Sequence, residues 1–181
     1  MTIEAPGFRH PSLNPARARL DEVEAPPNGY HEHMNLVLRP ATSADRGTAH
    51  RLLTAQLIEH HLPADPDGVT RGIDLALAPH SCAWLWLAER EGRPAAIFLA
   101  NEIASVERGG PVLWVEELYV VPEARRRGIA RALLARIREQ ARQRGVRAIE
   151  LEVVPTQAAA LALYRSLEFE QVHRMRMSLS L

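Results

Sequence analysis

The stretch that most restricts what this chain can fold into runs through residues 111–144. An apolar, β-branched segment, Leu118-Tyr119-Val120-Val121, ends at Pro122. Arg125, Arg126, Arg127 and Gly128 follow, and then Ile129, Leu133, Leu134 and Ile137 recur at helical spacing. A strand, a tight turn and a helix N-terminus in that order build an anion site. The opening N–H groups of a helix have no intrahelical partner and carry partial positive charge. Gly128 lacks a Cβ, so a ligand can approach the main chain closely, and Ala130 is nearly as small. Arg125, Arg126, Arg127 and Arg131 add formal charge, which suits a pyrophosphate. Glu116 and Glu117 lie on the strand just before the turn. An anion cradle and a candidate base side by side point to an enzyme.

Arg125-x-x-Gly128-x-Ala130, placed directly after Val121-Pro122, resembles motif A of the GNAT-superfamily N-acetyltransferases. Ala148-Ile149-Glu150-Leu151-Glu152-Val153-Val154 is similar to that family's fifth strand. The segment from Gln157 to Phe169, with Ala160, Leu163 and Tyr164, resembles its Asn-x-x-Ala-x-x-Leu-Tyr-x-x-x-Gly-Phe stretch. The resemblance implies an α/β fold, with a mixed, mostly antiparallel central sheet and helices on both faces. It implies acetyl-CoA as the cosubstrate, held by Leu118, Tyr119 and Val120, by Arg125, Arg126, Arg127, Gly128, Ile129, Ala130 and Arg131, and by Gln157. Leu118 and Val120 would contribute backbone groups. Three positions depart from the family pattern. Arg126 and Glu168 stand where glycine is common, which affects local turn geometry, and Gln157 replaces the usual asparagine.

Acetyl transfer needs a neutral amine. An alkylamine of pKa about 10.4 is neutral in only about one molecule in a thousand at pH 7, so a base is required. Adjacent residues of a regular strand point to opposite faces, so at most one of Glu116 and Glu117 faces a given cleft. The resemblance gives the base to Glu116, which leaves Glu117 as a substrate-side or structural carboxylate. Tyr164 is the candidate acid. A phenol, with a pKa of about 10, is protonated at neutral pH and can donate to the departing sulfur. No nucleophile lies near the motif, which agrees with direct transfer in a ternary complex to a small-molecule primary amine. A protein or peptide N-terminal acetyltransferase and a non-catalytic acyl-CoA sensor are the alternatives.

Composition narrows the partners. The 181 residues carry 22 basic and 22 acidic side chains, so no net charge calls for nucleic acid or a membrane surface. All the basic residues are arginine. Cys82, the single cysteine, rules out an intrachain disulfide and reads as core filler within an apolar strand. The histidines His31, His33, His60 and His61 complete no metal pattern; His60, His61, Asp65 and Asp67 read as capping and loop residues. Trp84, Trp86 and Trp114 read as packing residues. A cytoplasmic protein, with a homodimer as a family-level expectation, follows from this reading.

Residues 1–33, rich in proline, form a poorly ordered arm by this reading, and 34–181 form the N-acetyltransferase domain. Within the domain, strands are expected at 35–39, 82–89, 95–105, 111–121 (the central strand), 147–154 and 169–179. Helices are expected at about 42–60, 66–78, 128–144 and 157–167. Leu52, Leu53, Leu57 and Ile58 are read as the apolar stripe of the first helix.

Overall fold

Two strands joined by a tight hairpin are buried continuously, over residues 84–88 and 95–98, because both faces of the sheet are covered, and this pair organises the molecule. The computed structural model describes residues 35–179, so the proline-rich arm lies outside the described residues. In chain order the elements are β1 (Leu36–Pro40), α1 (Arg46–Glu59), α2 (Pro66–Leu77), β2 (Ala83–Arg90), β3 (Arg93–Ser105), β4 (Gly110–Val120), α3 (Ile129–Gln143), β5 (Ala148–Leu151) and α4 (Ala158–Ser166). The sheet order is β1-β2-β3-β4-β5. The first four strands pair antiparallel and β5 joins β4 in parallel. The sheet is therefore mixed and mostly antiparallel. Glu91 and Gly92 turn the β2–β3 hairpin with φ of 53° and 73°, the left-handed pair that matches strand twist.

Each face of the sheet is covered by helices. Trp84, Trp86, Ala96, Phe98, Ala100, Leu113 and Val115 pack against Ile129, Leu133, Leu134 and Ile137 of α3, with Leu163, Tyr164 and Leu167 at the margin. Leu85, Leu87, Ile97 and Tyr119 pack on the other face against Ala49, Leu52 and Leu53 of α1 and Ile73 of α2. At about 25 cal/mol per Å² of apolar area removed from water, these two layers are the main stabilising contribution. Thr42 and Asp45 form a capping box ahead of α1, and Arg39 ties it to the sheet through Asp45 (2.8 Å) and Glu89. Asp65 caps α2 by accepting from the N–H groups of Asp67 and Gly68, as its position before Pro66 anticipates.

Five expectations need correction. β4 is not central but lies one strand in from the β5 edge. The fifth strand is shorter than expected, Ala148–Leu151. Residues 169–179 form no strand. Val172, Met175, Met177 and Leu179 are exposed, so no buried apolar face fixes a register. That segment is held instead by ion pairs from Arg174 to Glu107 (2.9 Å) and from Arg176 to Glu152 (2.8 Å). Cys82 precedes β2 and is exposed, so it fills no core. The inner stripe of α1 is Ala49, Leu52, Leu53 and Gln56, while Ile58 faces solvent.

Candidate active site

The site begins with an irregularity in β4. Opposite β3, Leu99 pairs with Glu117 and Ala100 with Val115, so Glu116 is an extra residue with no partner. Such a bulge inverts the alternation of the residues beyond it. Leu113 and Val115, before the bulge, pack toward α3. Leu118 and Val120, after it, pack there too. Glu117 and Tyr119 are thereby turned toward α1 and α2. In a regular strand Glu116 would have taken that side. The two carboxylates consequently differ in environment. Glu116 is exposed. Glu117 is largely buried and accepts a hydrogen bond from Nε2 of Gln56 on α1. Burial, reinforced by the neighbouring charge of Glu116, pushes the Glu117 carboxyl up to about 7.

β4 and β5 are paired only over Val112–Val115 and Ala148–Leu151. Beyond the bulge, Glu116–Val120 have no strand on their β5 side among the described residues. The sheet is split at the carboxyl ends of two parallel strands, where open α/β sheets bind ligands. A helix follows each strand there: α3 after β4 and α4 after β5. Glu117 lies on the α1 and α2 face of the sheet, and Tyr164 packs at the margin of the α3 face.

The turn from β4 to α3 supplies the charge. A short 3-10 turn, Pro122–Ala124, leads to Arg125. Gly128 caps α3 at φ 77°, a left-handed conformation that L side chains rarely adopt, and no side chain among the described residues caps the opening N–H groups. A Cβ built on Gly128 would meet nothing within 4 Å, so the backbone conformation, and not crowding, requires glycine. Arg126 is also left-handed, at φ 60°. Its guanidinium and that of Arg127 make no hydrogen bond or ion pair among the described residues. Ile129 is buried in the core, and Ala130 follows it in the first turn. Arg131 donates to Ser166 Oγ at 2.7 Å, which ties α3 to α4. Arg125 points elsewhere. It pairs with Glu59 of α1 and donates through Nε to the Val120 carbonyl at 2.9 Å.

Tyr164 lies on α4 with its ring edge-on to Phe169 at 5.4 Å between centroids. Burial raises its phenol pKa, so it stays protonated at neutral pH. Gln157, at the N-cap of α4, lies 3.4 Å from the His60 ring at the end of α1. The structure thus brings together α1, the bulge, the basic turn and the start of α4. Gln56 was missed in the sequence. Its signal was a polar residue in the apolar stripe of Ala49, Leu52 and Leu53. Among the described residues no cluster of His, Cys, Asp and Glu could hold a metal ion. No helix there is long and apolar enough to cross a membrane.

Comparison with known proteins places this geometry. Residues 48–169 match the Acetyltransferase (GNAT) family. The chain is 37% identical over 60 residues to the thialysine N-epsilon-acetyltransferase of Caenorhabditis elegans, covering 33% of this chain and 38% of that protein. It is 44% identical over 54 residues to the ribosomal protein bS18-alanine N-acetyltransferase of Escherichia coli K12, covering 30% of this chain and 36% of that protein. These matches span little more than a third of the relatives' own length. In fold the chain is similar to an aminoglycoside N-acetyltransferase solved in complex with CoA, with a TM-score of 0.69 at 19% identity over 83% of this chain and 97% of that one. The family match runs from α1 through the bulge and the basic turn to Phe169, and this chain belongs to the GNAT acetyltransferase family.

Proposed function

We propose that this protein transfers an acetyl group from acetyl-CoA to the primary amine of a small molecule, by direct attack within a ternary complex. The observation that carries this reading is Glu117, turned by the bulge toward α1 and raised to about 7, next to a split sheet and a basic helix start. A carboxyl titrating there is matched to base catalysis at neutral pH.

The residues present fit acetyl-CoA. The uncapped N–H groups of Ile129, Ala130 and Arg131, the open space at Gly128 and the free guanidinium groups of Arg126 and Arg127 suit a pyrophosphate. The main chain of Leu118, Tyr119 and Val120 borders the split and suits the pantetheine amides, although the Val120 carbonyl is already engaged by Arg125. Gln157 stands at the start of α4 with its amide near His60. When bound, acetyl-CoA supplies a thioester carbon activated toward nucleophiles.

Glu117, and not Glu116, is the better candidate for the base. A carboxylate in water titrates near 4 and is a weak base, whereas one raised to about 7 holds a proton more strongly. Glu116 contributes its charge. Glu117 takes the proton from the ammonium nitrogen, and the phenol of Tyr164 gives a proton to the departing sulfur. An acidic pair with no arginine partner on Glu117 among the described residues suits a cationic acceptor. The thialysine and aminoglycoside relatives support a small-molecule amine.

The test is thiol release from acetyl-CoA over a panel of polyamines, amino acids, aminoglycosides and short peptides, with Glu117→Gln, Glu116→Gln and Tyr164→Phe alongside. Turnover of a small amine that Glu117→Gln abolishes is the expected result. Acetylation confined to peptide N-termini would replace the small-molecule reading. Tight acetyl-CoA binding without turnover of any amine would mark an acyl-CoA sensor.

A further inference from the structure

Gln56 is the one polar side chain among the buried described residues, only 4% exposed. It stands two helical turns after Ala49 on the inner stripe of α1, where a hydrophobic residue is the ordinary choice. Its Nε2 donates to Glu117, yet its Oε1 is buried with no hydrogen-bond partner. Buried amide carbonyls are rarely left in this state.

The arrangement makes sense if Glu117 changes its protonation. An amide carries a donor and an acceptor on one planar centre. An ionised carboxylate only accepts, and the Nε2 of Gln56 serves it. A protonated carboxyl has an O–H to donate, and the idle Oε1 serves that form after a half-turn of the amide. We infer that Gln56 is a positioning residue for Glu117, holding it on the α1 side of the bulge in both protonation states. The inference rests on Glu117 as the base. As the amine's N–H bond breaks, the proton forms a bond to a Glu117 oxygen, and the Gln56 amide turns to accept from it.

The surroundings leave this task to Gln56. The β3 residue opposite Glu117 is Leu99. On the same face α1 presents Leu52 and Leu53, and α2 presents Val69 and Ile73. Among the described residues, the charged group acting on Glu117 is Glu116 of its own strand. Arg176 acts on Glu116. Among the described residues no cation pairs with the Glu117 carboxylate.

The test is NMR on the full chain. The Glu117 carboxyl carbon and the Gln56 side-chain amide are followed from pH 4 to 9, with assignments from Glu117→Gln and Gln56→Met. In the wild type both signals move with one midpoint. Gln56→Met removes the donor and moves the Glu117 midpoint up by about one pH unit. The acid limb of spermidine acetylation moves with it, leaving about tenfold less ionised Glu117 below that limb. Gln56→Glu, which keeps the shape and adds like charge, moves the midpoint in the same direction and covers the case in which Gln56→Met does not fold. A flat Gln56 amide signal across the Glu117 titration, or an unmoved midpoint in a folded variant, would overturn the inference. Normal spermidine acetylation by Glu117→Gln would sink the base assignment instead, and the positioning role with it. Without spermidine turnover in the wild type, the two midpoints alone decide the Gln56–Glu117 coupling.

Discussion

Arg125 donates to Glu59 at 2.6 Å, while its guanidinium lies 5.6 Å from the centroid of the Tyr119 ring. The first arginine of the basic turn is therefore spent on joining α1 to the end of β4. Arg126 and Arg127 make no such contact among the described residues and are the ones proposed to meet the pyrophosphate. Both side chains of the Arg125–Glu59 pair are more than a third exposed, which limits its worth to roughly 1 kcal/mol or less. Arg125→Gln is expected to weaken CoA binding less than Arg126→Gln or Arg127→Gln does. Calorimetric titration with CoA at two salt concentrations checks this, and the two outer arginines should show the steeper salt dependence.

Glu117→Gln is expected to lower kcat/KM by roughly 10²–10⁴-fold, the usual contribution of a general base. In the wild type, kcat/KM should fall as pH drops below about 7, where the carboxyl becomes protonated. The sign for stability is the reverse of an ordinary carboxylate. The folded protein keeps the Glu117 proton up to about 7, whereas the unfolded chain releases it near 4.3, so stability declines across that window. Glu117→Gln should thus raise Tm at pH 8 and leave it nearly unchanged at pH 4. Melting curves at the two pH values measure the difference.

Tyr164→Phe keeps the ring that packs against Phe169 and removes only the hydroxyl. Turnover should fall by about tenfold or more if the phenol protonates the sulfur. Stability and the Kd for CoA should change little. Equal rates for the two proteins, with chemistry rate-limiting, would remove Tyr164 from the mechanism.

Glu168 sits at φ 66°, in the left-handed region that costs a non-glycine residue roughly 1–2 kcal/mol. Its ion pair with Arg138 is 3.3 Å long and exposed, and offsets little of that. Glu168→Gly is expected to stabilise the fold by about 1 kcal/mol, or roughly 2–4 °C in Tm. Urea denaturation gives the number directly.

Arg39 holds the Asp45 carboxyl well below the usual carboxylate range, aided by the Thr42 N–H and hydroxyl. The stability this gives is complete above the unfolded value near 3.9 and is lost as pH falls below it. Asp45→Asn should cost about 1–2 kcal/mol at pH 7 and much less at pH 2.5. Denaturation at the two pH values tests the sign.

Much of this protein is written locally. Three apolar positions of α3, Leu133, Leu134 and Ile137, repeat at the helical period and all three are buried. Pro122, the arginines and Gly128 announce where β4 must end and α3 must start. Arg126 and Glu168 stand where the family often has glycine, and both adopt positive φ. These features depend on neighbours within a few residues, so the order of residues is enough to reveal them. The exposure of residues 169–179 was not legible, because an alternating pattern becomes a strand only when a partner buries one of its faces.

The site divides along the same line. The sequence by itself determined the basic turn, the pair of adjacent carboxylates and the tyrosine on α4, because each belongs to a continuous motif. Only the tertiary structure decided which carboxylate turns toward α1. The bulge at Glu116 is a mismatch in register between β3 and β4, and it inverts every side chain that follows. Gln56 meets Glu117 across 61 residues of chain. No periodicity or spacing encodes such a contact, because it exists only once α1 has packed onto the sheet.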